Sequence, residues 1–148
     1  MKRITSVLIL AVALVAAGSL LQGTPVTASQ AIPGTKISVP GGSYRAVAPR
    51  ELAALLVHKN FVLVNVHYPY AGELPHTDRF LPFDTIGQHL SSLPANKHAF
   101  IVLYCRSGRM SDIAARTLVL LGFTNLWHLA GGMDAWEQQG FKLLYRSH

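Results

Sequence analysis

Short apolar runs alternate along the chain with segments whose apolar residues recur at helical spacing. The run Ala99–Tyr104 has the length and the branched side chains of a strand buried in a sheet. A short polar loop follows it, and then apolar residues recur along one helical face: Met110, Ile113, Ala114, Leu118 and Leu121. The pattern therefore predicts a buried strand, a loop and an amphipathic helix in succession.

The same reading predicts the other elements of the domain. Further strands are predicted at 44–47, where the strand would be at an edge, and at 61–67, 80–81 and 125–129. Helices are predicted from Pro49 to about residue 58, over 85–93 and over 133–139. Strands that alternate with helices indicate an α/β fold, with a mostly parallel central sheet of about five strands and helices on both faces.

The first 28 residues have the features of a signal peptide. Lys2 and Arg3 precede an apolar segment at 7–17, and small residues before Ser29 suit a cleavage site. The alternative is an uncleaved membrane anchor over 4–21, which polar residues interrupt. We predict cleavage, export to the periplasm or another extracytoplasmic site, a linker over 29–43, and a single domain over 44–148. Membrane association is expected only if the leader is retained.

Charge and composition narrow the function classes. The chain has 13 basic and 7 acidic residues, a formal net charge of +6. Without Lys2 and Arg3 the net charge falls to +4. The basic residues are scattered, so nucleic acid is not an expected partner. The single cysteine excludes an internal disulfide, and the 7 histidines show no ligand spacing. We expect no metal, no cofactor, and a monomer rather than an oligomer.

The strongest candidate for chemistry is Cys105, which directly follows the apolar run of the predicted buried strand. Ligands in α/β proteins bind beyond the carboxyl ends of the strands, where unpaired N–H groups of a following helix favour anions. Arg106 and Arg109 add two cations beside the thiol, and Gly108 lies between them. This setting stabilises a thiolate. The alternative, an inert cysteine in the core, gives no reason for the glycine and the two arginines.

Three segments carry a resemblance to a known family. Tyr104–Ser111 (YCRSGRMS) closely resembles the active-site loop of rhodanese-type sulfurtransferases, and Leu129–Trp136 (LAGGMDAW) resembles the closing motif of that family. Pro49–Leu52 resembles its first-helix entry, and the likeness extends over about 44–144. The resemblance implies a rhodanese-like fold.

The resemblance also implies covalent sulfur transfer. Cys105 would take the outer sulfur of a donor such as thiosulfate, carry it as a persulfide, and pass it to cyanide or a thiol. The donor would be bound by the loop that follows: Arg106, Ser107, Gly108, Arg109, Met110 and Ser111. Of the two arginines we favour Arg109 as the one that faces the substrate. Ser111 either donates a hydrogen bond in the site or caps the helix.

Two segments depart from the family pattern. Asn65-Val66-His67 stands where many members have Asp-Val-Arg, and 72–78 lacks the usual Gly-His-Ile-x-Gly-Ala segment. His67 ends a predicted strand on the same sheet edge as Cys105, so it is a candidate pocket residue, with a structural histidine whose hydrogen bonds are satisfied as the alternative. These departures leave the donor, the acceptor and the anchoring of the loop open.

Other functions compatible with the same residues remain open. One alternative is a non-catalytic persulfide carrier or interaction module built on the same fold. A cysteine-dependent phosphatase or arsenate reductase is a weaker alternative. The tyrosine-phosphatase pattern places arginine six residues after the cysteine, and that position is Ser111 here.

Overall fold

The structure is a computed structural model, and it describes residues 32–146. The predicted signal peptide, its alternative as an anchor and the cleavage site before Ser29 lie outside these residues. Within 32–146, none of the helices has both the length and the apolar character needed to cross a bilayer.

A six-stranded sheet runs through the middle of the domain. Its strands follow the order β1-β2-β6-β5-β3-β4, and every neighbouring pair is parallel except the β1–β2 hairpin. The strands are β1 (Thr35–Val39), β2 (Gly42–Val47), β3 (Val62–Asn65), β4 (Arg79–Phe80), β5 (Ile101–Tyr104) and β6 (Leu126–Leu129). The mostly parallel α/β sheet predicted from the sequence is confirmed, with six strands rather than about five.

Three helices cover the two faces of the sheet: α1 (Pro49–Val57), α2 (Arg109–Leu120) and α3 (Gly132–Gln138). Buried residues of α1 and α3, among them Leu52 and Trp136, belong to one apolar cluster. Leu118 of α2 belongs to a separate cluster on the opposite face. The prediction of helices on both faces is therefore confirmed.

Strand β5 lies inside the sheet, and all four of its residues are buried. Because successive side chains of a strand point to opposite faces, Val102 and Tyr104 pack with the α1–α3 cluster. Leu103 and Cys105 pack with the α2 cluster. The alternation thus delivers the thiol to the face that α2 covers.

The segment predicted as a linker contributes a strand, which corrects the sequence reading. Thr35–Val39 pairs antiparallel with β2, so β2 lies inside the sheet and β1 forms the edge. Ile37 and Val39 alternate with polar residues and pack against the α2 cluster. The glycine and proline content of 29–43 indicated a loop, but it reflects a hairpin turn in which Gly41 adopts a φ of 87°.

The helix predicted over 85–93 is also wrong. Two short 3-10 turns occupy this segment, at Ile86–Gln88 and Leu90–Ser92. Gly87 disfavours a continuous α-helix. Gly87 lies against the end of α2, where a Cβ would be in ordinary van der Waals contact with the side chain of Leu121, 3.5 Å away. The burial of Ile86, which produced the helical pattern, is retained by the tighter turn.

The packing of α2 predicts unequal effects for two leucines of the same helix. Leu118 is fully buried, whereas Leu120 is 69% exposed. We expect Leu118→Ala to lower the free energy of unfolding by about 2–5 kcal/mol, because it leaves a cavity. Leu120→Ala, the matched control, should change it by less than about 0.5 kcal/mol. Urea unfolding measures both, and similar losses for the two variants would contradict the described packing.

Candidate active site

The carboxyl ends of β3, β5 and β6 lie along one edge of the sheet because these strands are parallel neighbours. His67 follows β3, Cys105 follows β5 directly, and Gly131 lies just beyond β6. Parallel sheets bind ligands at such an edge. The site is therefore assembled from three separate parts of the chain.

The thiol of Cys105 lies in a tight loop that ends at the first turn of α2. Its residue is 1% exposed, and the backbone N–H of Gly108 donates a hydrogen bond to Sγ across 3.1 Å. Gly108 is the N-cap of α2 and has a φ of 95°, a left-handed conformation that glycine adopts without a steric cost. The sulfur thus faces an N–H donor and the positive end of a 12-residue helix.

The first turn of α3 holds this loop from behind. The N–H groups of Met133 and Asp134 donate to the carbonyl oxygens of Cys105 and Arg106, each across 2.9 Å. Gly132 makes this approach possible, since a Cβ there would lie 2.3 Å from the Cys105 oxygen. The Gly-Gly motif identified in the sequence therefore supports the cysteine loop directly.

The two arginines of the loop differ in their partners. Arg106 is exposed, and its Nε lies 3.1 Å from a carboxylate oxygen of Asp134. Arg109 is also exposed, and within residues 32–146 it forms no ion pair with a carboxylate. The guanidinium of Arg109 is therefore available to an external anion, while that of Arg106 is shared with α3.

The remaining predicted loop residues have distinct positions. Ser107 is exposed, whereas Met110 is half-buried and packs against the α2 cluster, so it contributes to the core beneath the loop. Ser111 is the third residue of α2 and not its N-cap, which corrects the capping alternative. Its Oγ lies 3.6 Å from Cys105 Sγ and donates to the Gly108 carbonyl oxygen across 3.0 Å.

The sequence reading missed one residue of the site, His128. This residue lies on β6, and its Nδ1 is 3.1 Å from Ser111 Oγ. Strand alternation explains the placement, because Trp127 and Leu129 pack on the α1–α3 face and leave His128 on the α2 face. A polar residue within the apolar strand 126–129 was the available signal.

The surroundings of His128 favour its neutral form. Burial lowers the pKa of the imidazole, and the positive charge of Arg116 acts in the same direction. The carboxylate of Asp112 opposes them and raises the pKa, but the net shift is downward. Asp112 itself bonds to Arg116 and accepts from the hydroxyl of Tyr44.

His67 lies at the same sheet edge, in the position proposed for it from the sequence. Its Nδ1 is buried without a hydrogen-bond partner among the described residues. Burial lowers the pKa of the ring, the nearby charge of Arg106 lowers it further, and Asp134 partly opposes the shift. A neutral imidazole with an unused nitrogen therefore borders the cysteine loop.

Two polar residues anchor the loop after β3, a point that the sequence left open. The buried amide of Asn65 accepts from the N–H of His67 and donates to the carbonyl oxygen of Gly72, each across 3.0 Å. The hydroxyl of Tyr104 accepts from the N–H of Leu74 across 3.0 Å and lies 2.7 Å from the hydroxyl of Thr77. Both of these anchoring side chains are neutral.

Within the described residues, no three His, Cys, Asp or Glu side chains group to hold a metal ion. The chemical resources of the site are instead a buried thiol, an N–H donor, a helix N-terminus and two guanidinium groups. This arrangement suits a thiolate nucleophile that attacks a small anionic reagent.

Comparison with known proteins gives a consistent result. The sequence pattern of the rhodanese-like domain matches residues 49–139. The chain is 34% identical over 98 residues to a probable adenylyltransferase/sulfurtransferase, MoeZ, of Mycobacterium tuberculosis, a match that covers 63% of this chain and 24% of MoeZ. The similarity thus spans about a quarter of that longer relative.

Solved structures share the fold. A rhodanese homologue from Thermus thermophilus has 30% sequence identity and a TM-score of 0.52, over 62% of this chain and 99% of the homologue. A rhodanese-related protein from Thermoplasma volcanium has a TM-score of 0.60 at 20% identity, over 70% of this chain and 100% of that protein. The second likeness concerns the fold alone.

The contact between α3 and the cysteine loop predicts different costs for two glycine substitutions. Gly132 and Gly140 both have positive φ, but a Cβ at Gly140 would meet nothing within 4 Å. Gly140→Ala should therefore cost only the left-handed conformation, about 1–2 kcal/mol. Gly132→Ala should cost clearly more and should also slow alkylation of the displaced thiol.

Thermal unfolding and iodoacetamide alkylation of the purified domain measure these two effects. Gly140→Ala controls for strain at positive φ. An equal stability loss for both variants, with unchanged alkylation, would show that the Gly132 contact does not support the loop.

Proposed function

The chain belongs to the rhodanese-like family, and we propose that it is a thiosulfate sulfurtransferase that carries sulfur on Cys105. The observation that carries this proposal is the N–H of Gly108, which lies 3.1 Å from a buried thiol at the N-terminus of α2. Such a setting stabilises a thiolate and, after transfer, an anionic terminal sulfur. The Mycobacterium tuberculosis relative is named a probable adenylyltransferase/sulfurtransferase, and this name supports the same class of reaction.

The proposed reaction has two transfers. The Cys105 thiolate attacks the outer sulfur of thiosulfate, the S–S bond of thiosulfate breaks, and sulfite leaves with the bonding electron pair. The cysteine then carries a persulfide. In the second transfer, cyanide or a thiolate attacks the outer sulfur and the Cys105 thiolate leaves, which restores the enzyme.

The loop geometry supports a division of roles between its residues. The Gly108 N–H and the start of α2 stabilise negative charge on sulfur in both transfers. Arg109 binds the anionic donor, since it has no carboxylate partner among the described residues. Arg106, paired with Asp134, joins the loop to α3 and adds a second, weaker positive charge.

His67 is proposed as a pocket residue that contacts the donor or the acceptor. Its neutral ring with a buried, unpaired Nδ1 offers a hydrogen bond at the sheet edge. An arginine at this position, as in many family members, would offer a charge instead. A neutral group favours a less charged reagent, such as a thiol acceptor, beside the donor site of Arg109.

Sulfur loading tests the proposed function directly. After incubation with thiosulfate, the intact mass of the domain should increase by one sulfur atom, and the Cys105→Ser variant should show no increase. Addition of cyanide should remove the sulfur and produce thiocyanate over many cycles. Since the chain has one cysteine, Cys105 is the only thiol that can carry the added sulfur atom.

Other outcomes would replace the proposal. Stoichiometric loading with no turnover would indicate a persulfide carrier. Absence of any adduct, together with hydrolysis of an aryl phosphate, would indicate a phosphatase.

The partners of the two arginines predict which of them binds the donor. A charge-assisted hydrogen bond is worth about 1.5–3 kcal/mol, so Arg109→Met should lower kcat/KM for thiosulfate about tenfold to a hundredfold. Arg109→Lys should recover part of this loss, because lysine keeps the charge but not the bidentate geometry.

Arg106→Met provides the comparison, because it removes a cation from the same loop. It breaks an exposed ion pair, worth at most about 1 kcal/mol, so its effect on kcat/KM should be several-fold at most. Steady-state kinetics with thiosulfate and cyanide measure all three variants. A larger loss for Arg106→Met than for Arg109→Met would reverse the assignment.

A further inference from the structure

The hydroxyl of Ser111 lies between the nucleophile and a second ionisable side chain. Its Oγ is 3.6 Å from Cys105 Sγ and 3.1 Å from His128 Nδ1. Both Ser111 and His128 are buried, at 0% and 7% exposure. The three side chains come from the end of β5, from α2 and from β6, so a continuous polar path runs from the sulfur to the sheet.

The number of protons that these side chains can donate limits the hydrogen-bond arrangements between them. A serine hydroxyl has one proton to donate and two lone pairs to accept. Its proton points to the carbonyl oxygen of Gly108 across 3.0 Å. That oxygen also accepts the backbone N–H of Asp112 across 3.0 Å, so it stays satisfied when the hydroxyl turns away.

The turn of the hydroxyl depends on the charge of the sulfur. A thiolate is a much stronger acceptor than a carbonyl that already has a partner, so the Ser111 proton turns to the sulfur when Cys105 ionises. The hydroxyl oxygen then has both lone pairs free, and Nδ1 of His128 meets one of them as an N–H donor. A neutral ring protonated on Nδ1 supplies this donor.

Groups on both neighbouring elements face the imidazole. From β2, the ring of Tyr44 meets it edge-on with the centroids 5.3 Å apart. From α2, the charges of Asp112 and Arg116 act on it with opposite signs. Burial keeps the ring neutral, so it acts at neutral pH as a hydrogen-bond donor and not as a cation.

We propose that His128 is a positioning residue for Cys105: its Nδ1–H donates to Ser111, and the Ser111 hydroxyl donates to the Cys105 thiolate. The proposal rests on the role of Cys105 as the nucleophile and does not depend on the identity of the sulfur donor. It adds a contact from the interior of the domain to the one that the Gly108 N–H makes with the sulfur.

The path has different consequences for the two states of the cysteine. It stabilises the thiolate, both as the attacking group and as the group that leaves in the second transfer. It stabilises the inner sulfur of the persulfide less, because the negative charge then resides on the outer atom. His128 and Ser111 should therefore accelerate the removal of sulfur by the acceptor.

The pH dependence of iodoacetamide alkylation tests the inference, since the chain has one cysteine. Loss of a hydrogen bond to a charged group predicts that Ser111→Ala raises the midpoint of the profile by about one pH unit. His128→Phe keeps an aromatic ring against Tyr44 and should raise it in the same direction. His128→Asn keeps an N–H donor and should restore most of the wild-type midpoint.

The double variant Ser111→Ala, His128→Phe separates a connected path from two independent effects. With Ser111 absent, His128→Phe should cause no further shift, because His128 acts only through the hydroxyl. Thr117→Val, which removes another hydroxyl of α2 that donates to a backbone carbonyl, is the matched control and should leave the midpoint unchanged. Additive shifts, or wild-type midpoints for both single variants, would overturn the proposal.

A measurement on the unmodified protein complements the variants. The imidazole nitrogen chemical shifts of His128 should show the neutral ring protonated on Nδ1, and protonation on Nε2 alone would contradict the path. Sulfur loading by thiosulfate reports separately on the proposed function. The expected midpoint shifts without sulfur loading would retain the inference and reject the transferase, and loading with unshifted midpoints would do the reverse.

Discussion

The absence of a side chain at Gly132 is the constraint on which the site depends. Because the backbone of α3 can approach the cysteine loop, two of its N–H groups bind the carbonyl oxygens of Cys105 and Arg106. With these oxygens held, the Gly108 N–H is directed to the sulfur. The loop therefore has its shape before any substrate arrives, which is the condition for electrostatic stabilisation without reorganisation.

Most of the fold was predictable because strong local patterns determine it. The run Ala99–Tyr104 and the amphipathic segment after it became β5 and α2 nearly as predicted. The failures came where composition and packing conflict. Glycine and proline hid the alternation in Thr35–Val39, and Gly87 disfavours the continuous helix that was predicted over 85–93, where 3-10 turns form instead.

The candidate site was also predictable from the sequence only in part. The contiguous segment 105–111 could be identified as a candidate site, since its chemistry and its spacing are read together along the chain. The contact of His128 with Ser111 was not predictable, because it joins β6 to α2 and requires the register of two elements. The anchoring of the loop after β3 by Asn65 and Tyr104 also depends on contacts between segments distant in sequence.

The pairing of β2 with β6 has a consequence for the order of events during synthesis. Arg45 lies opposite Trp127 in this parallel pair, so the inner side of the β1–β2 hairpin has no partner until β6 has left the ribosome. The support that α3 gives to Cys105 comes later still. A growing chain therefore carries an ordinary thiol, and the nucleophile is organised only after α3 has been made.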